Sequence, residues 1–142
     1  MSRRMIIRIG GLVLCVLFFT LPLVQCSQDS SINATGVEIA TGTGDLEDTG
    51  DAYPLVMVLL LGIPALLLIV SLNNDVPFSV LRYFSIAGLS AQVIFMIIAY
   101  SKLNSGEIKG AFELTPYNWL VVAIHAGMVG FIQYCIKQGT EG

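Results

Sequence analysis

The sequence predicts an all-α membrane protein. The expected architecture is a four-helix transmembrane bundle, reduced to three helices if the N-terminal segment is cleaved, with a mobile acidic loop outside. Three observations carry this reading. Of 142 residues, 55% are hydrophobic and only 12% are charged, about half the roughly 25% charged content of a soluble domain. Four apolar blocks, at residues 9–24, 55–72, 80–100 and 117–136, take up just over half of the chain. The mean hydropathy is +0.79. Such a chain cannot coat a water-facing globule, which excludes a soluble enzyme, a disulfide-rich secreted module and a disordered tail. A net charge of −3 with 7 scattered basic residues excludes a nucleic-acid surface.

Residues 1–26 read as a signal-like segment or a signal-anchor helix. Arg3, Arg4 and Arg8 precede an apolar run that ends in Leu21-Pro22-Leu23-Val24-Gln25-Cys26, the layout of a secretory signal. Taken back to Met5, the same run spans about 30 Å as an uncleaved anchor, with Arg8 snorkelling at one end. Cys26 offers a third fate, lipidation after cleavage. Leu23 suits that reading, while Gln25 is too large for the usual cleavage position. Retention, lipidation and plain cleavage are all open.

Residues 27–52 form the expected extracytoplasmic linker. Asp29, Glu38, Asp45, Glu47, Asp48 and Asp51 stand there without one basic residue, among many Gly and Thr. The segment should therefore be mobile and anionic. Val37-Glu38-Ile39 alternates between two Ala-Thr-Gly triplets and offers one short strand at most. Asp45, Glu47, Asp48 and Asp51 lack EF-hand spacing and read as a solvated charge cluster. No folded extramembrane domain is expected.

The remaining chain, 53–142, carries three transmembrane helices. The first covers 53–72, with Asp51 as its cap, Pro54 in its first turn and Pro64 as an internal kink. The second covers 80–100 and opens with Asp75 and Pro77. The third covers 117–136, with Thr115 as N-cap, Pro116 at the first helical position and Gly139 as the stop. The apolar blocks reach roughly 27, 31 and 30 Å, enough to cross a hydrocarbon core of about 30 Å. Arg3, Arg4, Arg8, Arg82 and Lys137 fall on one side, against Lys102 and Lys109 on the other. That asymmetry predicts both termini in the cytoplasm. Tyr53, Tyr100, Tyr117 and Trp119 then gather at the outer interface, where amphipathic rings belong.

Leu21 to Cys26, followed by Thr35-Gly36-Val37-Glu38-Ile39-Ala40-Thr41-Gly42, resembles a pattern of small uncharacterised bacterial multi-pass membrane proteins. In these an N-terminal helix ends in Leu-Pro and a cysteine, and a Thr-Gly…Ala-Thr-Gly segment follows. The stretch between proline and cysteine is shorter here. The resemblance implies a bacterial cytoplasmic-membrane location and supplies no catalytic residue.

Chemistry-bearing residues are few. His125, the lone histidine, lies near the middle of the last helix, where an ionisable group is a functional candidate by default. It reads as a ligand to a haem or chlorin, as a quinone contact, or as a neutral ring hydrogen-bonded to Gln92. Asn118 shares its face. Ala123, Gly127 and Gly130 make a small-residue face on the opposite side, and Ser85, Gly88 and Gln92 make a similar stripe one helix earlier. Such faces pack helices closely, within the chain or against a partner. Cys15, Cys26 and Cys135 lie too far apart for a disulfide and lack zinc-site spacing. No catalytic residue, metal site or cofactor is expected. The leading expectation is a non-enzymatic accessory or scaffold subunit of a bacterial membrane complex, contacting lipid and neighbouring subunits but no nucleic acid. The alternatives are a redox subunit using His125 and a surface-tethered sensor using the acidic loop.

Overall fold

The computed structural model describes residues 2–43, 53–104 and 110–139. In chain order these form α1 (Arg3–Thr20), β1 (Pro22–Cys26), β2 (Asn33–Thr35), α2 (Gly36–Thr41), α3 (Pro54–Leu72), α4 (Phe78–Leu103), β3 (Phe112–Leu114) and α5 (Tyr117–Lys137). Three of them, α3, α4 and α5, are long and apolar enough to cross a membrane. The 18-residue α1 carries three arginines in its first turns and is not among these.

The helices pack antiparallel in pairs, α1 on α3 and α4 on α5, with α1 also touching α5. Two apolar clusters fill the interior. Ile7, Leu14, Leu67, Phe78, Leu81, Ile132 and Cys135 form one. Phe18, Leu23, Val24, Ala34, Ile39, Leu60 and Phe95 form the other, towards the sheet. The outward faces are apolar too: Val58, Ile69 and Ile97 are each at least 60% exposed. A helix apolar on all sides belongs in lipid or in a large core.

The arginines of α1 hold the end of α3. A helix leaves its last carbonyls without internal partners, and here guanidiniums supply them. Arg4 donates to the carbonyls of Asn73 at 3.1 Å and Val76 at 2.7 Å. Arg8 donates to Ser71 O at 3.0 Å, Leu72 O at 3.3 Å and Asn74 Oδ1 at 2.9 Å. Both cations also meet the negative end of the helix dipole. Arg4 is buried and stacks 5.0 Å from the Phe78 ring.

Within α3, Pro64 has no N–H to give to the turn before it. The expected kink takes a specific form: residues Met57–Gly62 are π-helical, and α-helix resumes at Ile63. A π-turn ahead of proline redistributes the lost bond over a wider ring. The last two helices exceed their expected bounds of 80–100 and 117–136 by at most three residues at an end. Pro77 and Pro116 are their N-caps, without side-chain capping bonds. Gly139, at φ 66°, ends α5 as expected. Asp51, expected to cap α3, lies outside the described residues.

The expectation of a structureless outer segment is corrected. Pro22 biases Leu21 away from helix, and Leu21 sits at φ −97° and ψ 133°. The chain therefore leaves α1 extended. It becomes β1, the central strand of an antiparallel sheet ordered β2-β1-β3. Gln25 pairs with Asn33 on one side and Glu113 on the other. Val37-Glu38-Ile39 is helix, not strand, because Thr35-Gly36-Val37-Glu38 is a capping box. Thr35 N donates to Glu38 Oε2 at 2.7 Å, and Glu38 N to Thr35 Oγ1 at 3.4 Å. Gly36 faces Phe18 so closely that any Cβ there would collide with the ring. A small folded cap therefore sits on one end of the helices. Between β1 and β2, Ser31 donates through Oγ (2.6 Å) and N (2.9 Å) to Asp29 Oδ1. These bonds, the hydroxyl's first, hold the Asp29 carboxyl below its ordinary value. Asp45, Glu47, Asp48 and Asp51 lie outside the described residues.

Candidate functional site

The polar residues singled out from the sequence converge on the seam between α4 and α5. Ser85, Gly88 and Gln92 lie on consecutive turns of α4 and are all buried. Asn118 and His125 lie two turns apart on α5 and are buried as well. Their spacing of three, four and seven residues keeps each set on one helical face. The two faces meet.

The partners differ from expectation. Gln92 Nε2 donates to Asn118 Oδ1 at 3.1 Å, not to His125. The physical reason is an offset between the helices. His125 abuts Gly88, one turn before Gln92, so it lies about one turn deeper than an alignment that sets it opposite Gln92. Gln92 and His125 border one small gap, together with Leu17 and Leu60. Gln92 nevertheless turns to Asn118.

Asn118 then ties the seam to the cap. Its Nδ2 donates to Leu23 O at 2.7 Å and Thr115 O at 3.1 Å. Thr115 N donates to Leu23 O at 3.0 Å, and Thr115 Oγ1 to Pro22 O at 2.5 Å. Thr115 was expected to cap α5 with its side chain; its hydroxyl serves β1 instead. Thr115 and Asn118 are 2% and 0% exposed, so every one of these bonds replaces water that cannot enter. Sequence reading placed Asn118 on the right face and missed the joint it makes. The Leu21-Pro22 step that forces an extended carbonyl-bearing strand was the available signal.

His125 sits deeper, against the backbone of α4. A Cβ at Gly88 would lie 2.6 Å from His125 Nε2, so only glycine admits the ring. Among the described residues, His125 Nδ1 and Ser85 Oγ have no hydrogen-bond partner. Both residues line a second gap, walled by Pro64, Leu67, Phe84 and Met128. The surroundings do not fit an axial haem ligand. The residue is 5% exposed, one ring nitrogen abuts Gly88, and the two gaps beside the ring are too small for a macrocycle and walled mostly by apolar side chains, with Ser85 in one and Gln92 in the other.

The two small-residue faces part company. The α4 stripe is used within the chain, against His125. On α5, Ala123, Gly127 and Gly130 are exposed, and a Cβ at either glycine would meet nothing within 4 Å. Of the two readings open for such faces, packing within the chain describes the α4 stripe, and among the described residues nothing covers the α5 face. Cys26 lies at the end of β1, paired with Phe112, and its N–H donates to Ile32 O at 2.8 Å. Among the described residues, no disulfide joins Cys15, Cys26 or Cys135. No protein-family model, curated protein or solved structure matches the chain.

Proposed function

We propose that this protein is a non-enzymatic accessory or scaffold subunit of a bacterial membrane complex, crossing the cytoplasmic membrane four times. One observation carries the reading: the open face of Ala123, Gly127 and Gly130 on a helix long enough to span a bilayer. Small residues let a second helix approach backbone to backbone, which is how helices associate where lipid tails are as apolar as their side chains. The occupant of this face is a transmembrane helix of a partner subunit.

The four-crossing bundle includes α1. Ile7, Leu14 and Phe18 are no more than 4% exposed, and β1 is the central strand, so removal of residues 1–25 would strip both core and cap. In this reading residues 1–26 are a signal-anchor, and Cys26 keeps a free thiol. The arginines at the start of α1, with Arg82 and Lys137, support a cytoplasmic location for that end. The small sheet then caps the bundle outside.

The test is purification in mild detergent of the wild type and of Gly127→Leu. Specific co-purifying membrane chains are expected with the wild type and should be lost in the variant at unchanged unfolding midpoint. A wild-type protein that purifies alone as a monomer, or partners indifferent to Gly127→Leu, would overturn the proposal.

A further inference from the structure

The end of the bundle that carries Arg4 and Arg8 holds a third guanidinium in a different situation. Arg4 and Arg8 spend their donors on carbonyls at the end of α3 and in the link that follows it. Arg82, in the second turn of α4, has one hydrogen bond among the described residues, from Nη1 to Gln133 Oε1 on α5 at 2.9 Å. Gln133 is neutral, so the bond orients the guanidinium and leaves its charge uncompensated. Arg82 Nε is buried and has no acceptor among the described residues. Its Cζ lies 5.5 Å from the centroid of Tyr83, whose ring is 65% exposed.

Among the described residues no carboxylate pairs with Arg82, and the neighbourhood adds donors. Lys137 lies one turn beyond Gln133 on the same face of α5 and is exposed. Tyr134, beside Gln133, is 54% exposed. Below Arg82, exposed Ile86, Val93 and Ile97 follow within about 60° of its direction around α4, at 100° per residue. A cation with nearby phenols thus stands at the head of an aliphatic track along a helix long enough to cross a membrane. A soluble anion gains nothing from the track. A phospholipid uses both parts.

We propose that the seam between the first turns of α4 and the last turns of α5 binds an anionic phospholipid, its phosphate on Arg82 and Lys137 and an acyl chain along Ile86, Val93 and Ile97. The guanidinium, fixed by Gln133, presents the Nη N–H groups that Gln133 leaves over to phosphate oxygens, while Nε stays buried. Charge complementarity identifies the headgroup, and a zwitterionic lipid would bring its own cation against Arg82. The site does not depend on a partner subunit.

The delipidated full-length protein is titrated with phosphatidylglycerol or phosphatidylcholine. Native mass spectrometry counts bound lipid, and heating gives the unfolding midpoint. Phosphatidylglycerol is expected to bind about fivefold tighter, as one lipid-facing cation contributes near an anionic headgroup. The preference should vanish in Arg82→Gln and persist in Arg82→Lys. Equal binding of the two lipids, or an unchanged preference in Arg82→Gln, overturns the site. If Arg82→Gln does not fold, Lys137→Gln, an exposed change, should reduce the preference, and no reduction overturns it equally. Inorganic phosphate alone should leave the midpoint unmoved. A rise matching that given by phosphatidylglycerol would mean a soluble-anion site and overturn the lipid assignment.

Discussion

At the scale of single residues, the interior is held by close contacts and a few polar bonds, and both kinds can be tested by substitution. Gly88 has no room for a side chain, because a methyl would lie 2.6 Å from His125 Nε2. Overpacking of this kind costs about 1–3 kcal/mol. Gly88→Ala should therefore lower the unfolding free energy in detergent by that amount. Adding His125→Ala should recover most of the loss, since the obstructing ring is gone; undiminished loss in the double variant would place the clash elsewhere. The Gln92–Asn118 bond sets a second cycle. Each alanine variant should cost about 0.6–2 kcal/mol on the scale of membrane hydrogen bonds, with Asn118→Ala the larger because it also bonds Leu23 and Thr115. The double variant should cost clearly less than the sum. Gln92→Ala with His125→Ala should couple less than Gln92→Ala with Asn118→Ala, as the first pair shares a gap but no bond. The sequence marked Gln92, Asn118 and His125 as the polar residues that matter. It could not pair them, because pairing depends on an offset of about one turn between helices whose ends are set by loops.

At the scale of elements, the legible features were those written in a short window. Apolar runs of bilayer length, prolines at helix starts and Gly139 at a helix end located α3, α4 and α5 to within a few residues. What escaped was set by long-range partners. β1 pairs with segments on both sides of it, one of them nearly ninety positions away, and no local pattern in Pro22–Cys26 distinguishes a strand from a signal's tail. The capping box at Thr35 and Glu38 was local and readable, yet the surrounding Gly and Thr suggested disorder. Its energetic weight is testable: Thr35→Ala should cost about 1 kcal/mol and speed hydrogen exchange at Tyr53, whose N–H bonds Ile39 O at 3.1 Å beyond α2. The arginines of α1 were read as charges that orient the chain, and they also finish another helix. Hydrogen bonds from charged groups contribute about 1.5–3 kcal/mol. Arg4→Ala, which frees Asn73 O and Val76 O in a buried place, should cost at least that much. Arg4→Lys should not restore it, since one ammonium lacks the fork that reaches both carbonyls. Arg8→Ala, at the exposed rim, should cost less. Full rescue by lysine would reduce the contact to plain charge.

At the scale of the whole molecule, the same residues bear on two questions, how the chain is processed and which way it faces. The layout of residues 1–26 follows a secretory signal, and a signal is dispensable to the mature fold. Here the first helix supplies Ile7, Leu14 and Phe18 to the core, and the strand after it lies between β2 and β3. Processing at residue 25 would leave β2 and β3 without the strand that joins them. Intact mass spectrometry of the membrane-extracted protein should therefore show the chain with residues 1–25 attached and Cys26 unmodified. A mass for a chain starting at Cys26, with or without acyl groups, would defeat the four-helix reading. Orientation is a separate test. The cluster of arginines and the cap occupy opposite ends of the helices, and in the proposed four-crossing arrangement the arginines face the cytoplasm and the cap faces outside. In a protein with its native cysteines replaced, a single cysteine at Thr43, just beyond α2, should react with an impermeant reagent applied to intact cells. One at Asn74, which accepts from Arg8 in the link between α3 and α4, should react only after permeabilisation. The reverse pattern would turn the molecule over and put the proposed lipid site in the outer leaflet.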